Sequence, residues 1–216
     1  MQDFPVFTTE TGVSSLILRE IPYRGEAYIR IQDVQEDGFD AHLRECVSFC
    51  RMAGAEKIYA AGHGLLDTFP LHTAVYEMSG EAIVDRDLLK NLFPVTEQTV
   101  GRWRAIYNER MGTVDNSATM TSRDEKNILE SGGAYFVHDN GHLLGIGWLE
   151  GEDPVKLLAI ASAERGAGRA VLNTLMSVVE GTRMTLEVVS TNSRAIHLYE
   201  SMGFLVTGEL RRWYRI

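Results

Sequence analysis

LAIASAERGAGRAVL, at residues 158–172, is the segment that says most about how this chain folds. It begins as an apolar strand, passes through a turn of small residues at 165–170, and continues as an amphipathic helix from Val171. The first N–H groups of such a helix have no intrahelical partner and lie at the positive end of the helix dipole. Glycine and alanine leave room for an anion to approach these amides, and Arg165 and Arg169 lie beside them. The segment therefore predicts a site for a phosphate-bearing cofactor.

The turn departs from two common nucleotide-binding motifs. A Walker loop needs Gly-Lys followed by Ser or Thr, whereas Gly168 is followed by Arg169 and Ala170. A dinucleotide fingerprint needs a third glycine, and this turn has only Gly166 and Gly168. The R-x-x-G-x-A arrangement of Arg165, Gly168 and Ala170 instead resembles the pyrophosphate loop of the GNAT acetyltransferases.

A second motif, LEVVSTNSRAIHLYESMGF, follows at residues 186–204. It contains a strand, an asparagine that opens a helix, and then L-Y-E and G-F, in the order and spacing of the second half of the GNAT signature. The chain is therefore identified as a member of the GNAT N-acetyltransferase family over roughly residues 72–216. It is most similar to the ribosomal-protein N-terminal alanine acetyltransferases, which share the L-E-V strand and a basic-aromatic segment like RRWY at 211–214.

The resemblance implies an α/β (α+β) chain with the GNAT acyl-CoA N-acyltransferase fold, a mixed and mostly antiparallel sheet whose central strands splay apart. The GNAT domain is expected at residues 71–216. Residues 1–70 predict a β-β-α-β module, which is either a degenerate half-copy of the GNAT domain or an unrelated α+β cap. The acidic segment 32–37 has no glycine pair where a phosphate loop would lie, so no cofactor is expected in this module.

Within the GNAT domain, apolar periodicity predicts helices at 85–93 and 96–111. The segment 112–123 is rich in Thr, Ser, Asn and Gly and predicts a mobile loop, which is expected to shape the acceptor groove. Asp139-Asn140-Gly141 predicts a tight hairpin turn. The helix after the phosphate loop is expected to bury Val178 and Val179 and to end at Gly181.

The resemblance implies that acetyl-CoA is the co-substrate. Main-chain groups at the end of the strand would hold the pantetheine arm, and an unpaired N–H near Ile160 would bond the acetyl oxygen. Asn192 would bond the arm, although asparagine is also favoured as a helix N-cap. The expected cofactor-binding residues are Ile160, Ala161, Ser162, Arg165, Gly166, Ala167, Gly168, Arg169, Ala170, Asn192 and Tyr199.

Two residues match catalytic positions of the family. Tyr199 matches the general acid that protonates the departing sulfur, although its helical stripe also suits a core tyrosine. Glu187 matches the general base; a solvated strand residue is the alternative, and a water relay or Glu150 could serve instead. Glu150 is also expected to attract a cationic acceptor. An α-amine with a pKa of ~7.8 is about 3.5 kcal/mol easier to deprotonate than a lysine at ~10.4, which favours an α-amine or a small primary amine.

Composition and net charge limit the classes of partner that the chain is expected to bind. The formal net charge is −9, which argues against nucleic acid and suits a cationic amine. No apolar run approaches the ~18 residues of a membrane span, and no secretory signal pattern precedes the fold, so a cytoplasmic protein without a membrane partner is expected. Cys46 and Cys50 are the only cysteines. We therefore expect both to be reduced thiols in the core, and we expect no metal site.

The sequence thus predicts an N-acetyltransferase that moves an acetyl group from acetyl-CoA directly to a primary amine of a protein, peptide or small molecule. A catalytically silent acyl-CoA-binding sensor is the main alternative, and a structural protein on a defunct fold is a third. Ser162 stands where many relatives have proline, the connection from the phosphate loop to Glu187 is shorter than in the alanine-acetylating enzymes, and those enzymes lack the N-terminal module. These departures together put a ribosomal substrate in doubt. The sequence does not decide the oligomeric state, and a homodimer is one alternative because terminal strands often mediate dimers in this fold.

Overall fold

The computed structural model describes residues 5–216, which group into two compact units. The first unit comprises the residues up to Val75 together with Leu210–Ile216, and the second comprises Tyr76–Glu209. The predicted domain division between residues 70 and 71 stays a prediction. No helix in the described part of the chain is both long enough and apolar enough to cross a membrane.

The first unit is a sheet with one long helix packed on it. Its strands are β1 (Val6–Thr8), β2 (Gly12–Ile17), β3 (Glu26–Val34) and β4 (Lys57–Ala61), and its helices are α1 (Ile21–Arg24) and α2 (Phe39–Met52). β2 and β3 are antiparallel, whereas β3 and β4 are parallel and connected by α2. Pairing of β3 with β4 continues unbroken from Glu26 to Arg30. The apolar face of α2 covers this sheet and buries the free thiols of Cys46 and Cys50.

A polar side chain is buried inside the first unit. The His42 ring is fully buried on α2, with Nδ1 2.8 Å from Thr9 Oγ1 and Nε2 2.7 Å from Ser14 Oγ. Burial lowers the pKa of His42 below its ordinary value of 6.5. The imidazole is therefore neutral near pH 7, held by two hydroxyl groups.

The second unit is a larger sheet with helices on both faces. Two long strands, β5 (Leu71–Glu81) and β11 (Leu205–Arg215), have residues in both units. The other strands are β6 (Asn91–Pro94), β7 (Ala134–Asp139), β8 (His142–Glu150), β9 (Val155–Ser162) and β10 (Arg183–Val189). The helices are α3 (Val100–Met111), α4 (Glu125–Ser131), α5 (Gly168–Met176) and α6 (Ser193–Ser201).

Strand order in the second unit is β5-β10-β9-β8-β7-β6. The β9–β10 pair is parallel, and β6 to β9 pair antiparallel in succession. The predicted mixed and mostly antiparallel sheet is confirmed. The predicted hairpin is confirmed as well: Asp139 pairs with His142 across Asn140 and Gly141, whose φ angles of 47° and 82° are those of a tight hairpin turn.

The predicted helix at 85–93 is wrong. This segment holds a single 3-10 turn, Arg86–Leu88, and then enters strand β6. Side chains of α5 take the backbone groups that a helix would need: Asn173 bonds both the N–H and the C=O of Asp85 at 2.8 Å, and Thr174 Oγ1 accepts from the N–H of Lys90 at 3.1 Å. Tertiary hydrogen bonds therefore override the local helical periodicity.

Two glycines in β8 let α5 lie close to the sheet. A Cβ at Gly147 would lie 2.2 Å from Leu175 Cδ1, and one at Gly145 would lie 2.9 Å from Val171 Cγ2. Both partner side chains are fully buried. The helix ends at Met176, earlier than predicted, and Val178 is 41% exposed where burial was expected. This close packing fixes the first turn of α5 beside the end of β9.

Candidate active site

The central strands separate at a bulge in β9. Adjacent β8 residues pair with Ala159 and Leu157, which leaves Leu158 as an extra residue on β9. Pairing in register between β9 and β10 ends at the same place, with Leu157 opposite Leu186, although β9 runs on to Ser162. The predicted splay of the central strands is confirmed, and the bulge is its local cause.

The backbone N–H of Ile160 points toward the space that β10 leaves. Ala163 N–H donates to the carbonyl oxygen of Leu144 at 2.8 Å, and alternation along an antiparallel pair then directs Ala161 toward β8 as well. Ile160 lies between these residues, so its N–H points to the opposite side. That N–H is placed to donate to a ligand lying between the two strands.

The connection from β9 to α5 is open to solvent. Gly166 is exposed, has a φ of +89°, and has free space where a Cβ would stand. The hydrogen bond that starts the α5 ladder runs from Val171 N–H to the Ala167 carbonyl oxygen at 2.9 Å. Within residues 5–216, no hydrogen-bond acceptor serves the three amides at the helix start, those of Gly168, Arg169 and Ala170. These donors are available to an anion.

Three arginines surround this turn. Arg165 and Arg169, which the sequence predicted beside the helix start, are exposed. Arg110 on α3 was not predicted; its Nη2 donates to the carbonyl oxygen of Ala163 at 3.0 Å. No sequence signal could have found Arg110, because more than fifty residues separate it from the turn. Local positive charge thus offsets the acidic balance of the whole chain.

Asn192 caps α6, the helix that packs against the first turn of α5. Asn192 Oδ1 accepts from the N–H of Ala195 at 3.2 Å, so the N-cap interpretation is confirmed. Its amide nitrogen forms no hydrogen bond with any described residue and can still donate to a ligand. A Cβ at Gly168 would lie 3.1 Å from Leu198 Cδ2, so α6 lies directly against the first turn of α5.

Tyr199 lies inside the apolar cluster beneath α5 and α6. Its side chain is 6% exposed and contacts the Phe204 ring, with centroids 6.0 Å apart. The hydroxyl has no hydrogen-bond partner among the residues that the structure describes. Burial raises the pKa of Tyr199 well above its ordinary value of 10, so the group is a protonated donor at neutral pH.

The two candidate acidic residues lie on the opposite face of the sheet. Leu186 packs in the cluster beneath α5, so its neighbour Glu187 points away from that helix. Glu187 accepts a hydrogen bond from Lys156 Nζ on β9 at 2.7 Å, in an ion pair whose side chains are 36% and 44% exposed. Glu150 on β8 is the cross-strand partner of Lys156 and is exposed. Sequence reasoning missed Lys156.

The loop at 112–123 lies beside the start of α6. Asn108 bonds both the N–H and the C=O of Met120 at 2.8 Å. Thr191 Oγ1 donates to Asp115 Oδ2 at 2.7 Å. These contacts attach both halves of the loop to the fold. Its role in an acceptor groove stays a prediction.

The first unit has the same succession of strands and helix as the candidate site, but its two parallel strands do not separate. β2, β3, α2 and β4 follow one another as β8, β9, α5 and β10 do, with one antiparallel and one parallel pair in each set. However, β3 and β4 stay paired, and Glu36 and Asp37 precede α2. Across residues 5–216, no group of three or more His, Cys, Asp or Glu side chains is arranged to hold a metal ion.

Sequence comparisons agree with this geometry. Residues 100–204 match the profile of the acetyltransferase (GNAT) family. The chain is 42% identical over 52 residues to the N-alpha-acetyltransferase RimI of Mycobacterium tuberculosis (strain ATCC 25618 / H37Rv), an alignment that covers 24% of this chain and 33% of that protein. The match thus spans about a third of the length of that curated relative.

Solved structures share the fold at low identity. A GCN5-related N-acetyltransferase from Sphaerobacter thermophilus is 12% identical with a TM-score of 0.61, covering 95% of this chain and 76% of that one. A functionally unknown conserved protein from Staphylococcus epidermidis ATCC 12228 is 10% identical with a TM-score of 0.62, covering 100% of this chain and 94% of that one. Residues 100–204 thus have the sequence pattern of the acetyltransferase (GNAT) family, and the chain has the fold of the solved GCN5-related N-acetyltransferase from Sphaerobacter thermophilus.

Proposed function

We propose that this chain is an N-acetyltransferase that moves the acetyl group of acetyl-CoA directly to a primary amine. One observation carries the proposal: β9 leaves β10 at Leu158, and the turn after β9 leads into a helix start whose amides at 168–170 are open. A gap between strands beside an anion site suits a long ligand with a diphosphate at one end and a reactive acyl group at the other. The family match and the N-alpha-acetyltransferase activity of the mycobacterial relative support it.

The residues present suit acetyl-CoA, which supplies an acetyl thioester. The open amides of α5 would hold its diphosphate, assisted by Arg165 and Arg169. Gly166 leaves the approach clear of side-chain atoms. Main-chain groups at 160–162 and the free amide nitrogen of Asn192 would hold the pantetheine arm. Arg110 extends the basic surface of the turn.

Three groups of the chain would then perform the transfer. The N–H of Ile160 donates to the acetyl carbonyl oxygen, where negative charge develops. Tyr199 donates its proton to the sulfur as the carbon–sulfur bond breaks. Glu187, directly or through water, accepts the proton that the amine loses as the new nitrogen–carbon bond forms. No covalent bond to the enzyme is required.

An α-amine is the acceptor that this machinery suits best. A carboxylate is a weak base, and an α-ammonium is about 3.5 kcal/mol easier to deprotonate than a lysine side chain. The exposed carboxylates of Glu187 and Glu150 on one face would attract such a cation. We therefore infer a peptide or small-molecule acceptor carrying one accessible primary amine.

Two observations favour a silent acyl-CoA-binding sensor as the second candidate. Tyr199 is packed in an apolar cluster, and Glu187 is already paired with Lys156, so both could be catalytically idle. Calorimetric titration with acetyl-CoA and a thiol-release assay over α-amino peptides, polyamines, aminoglycosides and amino acids separate the two. Binding with turnover supports the enzyme, binding without turnover on every acceptor favours the sensor, and no binding contradicts both.

A further inference from the structure

Lys156 lies on β9 between carboxylates on both neighbouring strands. Its Nζ donates to Glu187 Oε1 on β10 at 2.7 Å. Its partner across the antiparallel pair is Glu150 on β8, and the Cβ atoms of such partners lie about 4.5–5.5 Å apart. A lysine side chain is long enough to reach either carboxylate. Within the described part of the chain, Glu150 forms neither an ion pair nor a side-chain hydrogen bond. The Lys156 ammonium therefore pairs with the Glu187 carboxylate, and among the described residues the Glu150 carboxylate is left without an ion-pair partner.

We propose that Lys156 is a specificity-determining residue that occupies Glu187 until an acceptor amine displaces it toward Glu150. The inference rests on the proposed function, in which Glu187 meets the acceptor's ammonium. The two side chains of the ion pair are 44% and 36% exposed, and exposed pairs of this kind open at little cost. An acceptor cation therefore competes with Lys156 for one carboxylate, and Glu150 receives the displaced charge.

Opposite effects of two substitutions test this exchange. The full-length chain is assayed for thiol release at saturating acetyl-CoA while the concentration of an alanyl dipeptide amide is varied. Lys156→Met is expected to lower the KM for the peptide roughly two- to fivefold, since the internal competitor is lost. Glu150→Gln is expected to raise that KM by a similar factor, because Lys156 then has only Glu187 as a partner. The KM for acetyl-CoA stays unchanged in both variants.

Three further variants distinguish competition from a structural effect. Lys156→Arg keeps the charge and is expected to retain the wild-type KM. In a Glu187→Gln background, Lys156→Met is expected to have no effect on peptide affinity, measured by residual turnover or by calorimetric titration. Lys90→Met is the matched control: Lys90 bonds Asp139 Oδ2 on β7 at 2.9 Å, two strands away from β9, so its loss should leave the KM unchanged.

The outcomes separate this inference from the proposed function. An unchanged KM in Lys156→Met, an equal change in the Glu187→Gln background, or a lower KM in Glu150→Gln overturns the exchange while leaving the enzyme intact. If the wild-type chain turns over no amine at all, the proposed function fails. The peptide affinity of Lys156→Met, measured by titration, then decides the exchange on its own.

Discussion

Replacing Tyr199 by phenylalanine separates a catalytic hydroxyl from a core aromatic ring. The ring is 6% exposed and packs against Phe204, contacts that phenylalanine preserves. The change therefore removes one oxygen atom and leaves the apolar cluster filled. If Tyr199 protonates the departing sulfur, turnover must fall while the fold is unaffected.

The structure sets the size of both effects. Because the Tyr199 hydroxyl has no hydrogen-bond partner in the described chain, its loss should change the free energy of unfolding by less than about 1 kcal/mol, with stabilisation the expected sign. General acid catalysis contributes about 10²–10⁴-fold, and a thiol with a pKa of ~8.5 leaves tolerably without help. The fall in kcat should therefore lie at or below the lower end of that range.

The assay compares Tyr199→Phe with Tyr135→Phe. Tyr135 packs against the same apolar cluster from β7, two strands away from β9. Thiol release at saturating acetyl-CoA and acceptor gives kcat, and thermal unfolding gives stability. A kcat that falls only in Tyr199→Phe, with both variants folded, supports the acid. Undiminished turnover in Tyr199→Phe would remove this residue from the mechanism and leave it a core aromatic.

Four other substitutions have defined outcomes. Gly147→Ala places a Cβ 2.2 Å from Leu175 Cδ1 and should destabilise the chain by about 1–3 kcal/mol in urea unfolding; no loss of stability would contradict the close packing of α5. Because the pKa of His42 is lowered, its contribution is complete above about 6.5 and is lost as pH falls; unfolding midpoints from pH 8 to 5 should drop less in His42→Gln than in the wild-type chain. Arg165→Gln and Arg169→Gln should each raise the acetyl-CoA Kd about two- to tenfold by calorimetry, and an unchanged Kd in both would place the diphosphate elsewhere.

The parts of the site that could be predicted are those encoded contiguously. An apolar strand, two glycines and an amphipathic helix follow one another at 158–176, so local periodicity was sufficient to place the β9–α5 connection. Asn140-Gly141 specified its hairpin for the same reason, because both residues tolerate positive φ. Asn192 was recognisable as a cap from residue type and position alone.

Long-range partners escaped prediction. Arg110 reaches the turn from α3, and Lys156 on β9 reaches Glu187 on the neighbouring strand β10; nothing in their immediate neighbours distinguishes them from surface cations. The failed helix at 85–93 has a similar origin, since Asn173 and Thr174 on α5 determine the path of that segment. In each case the deciding contact joins residues more than thirty positions apart in the sequence.

The bulge at Leu158 shows why the face of the sheet on which each β9 side chain lies was the hardest property to predict. Residues 157–161 are all apolar, so their alternation carries no information about which face each one takes. In a regular strand, Lys156 and Ile160 would share a face, and the ammonium would lie in the apolar cluster beneath α5, where an unpaired charge costs several kcal/mol. The extra residue reverses the alternation: Leu157 and Ile160 both pack toward α5, while Lys156 lies opposite with Glu187. The same inserted residue that separates β9 from β10 therefore also places the cation beside the proposed base, so the opening for the cofactor and the charge of the acceptor face have a common structural origin.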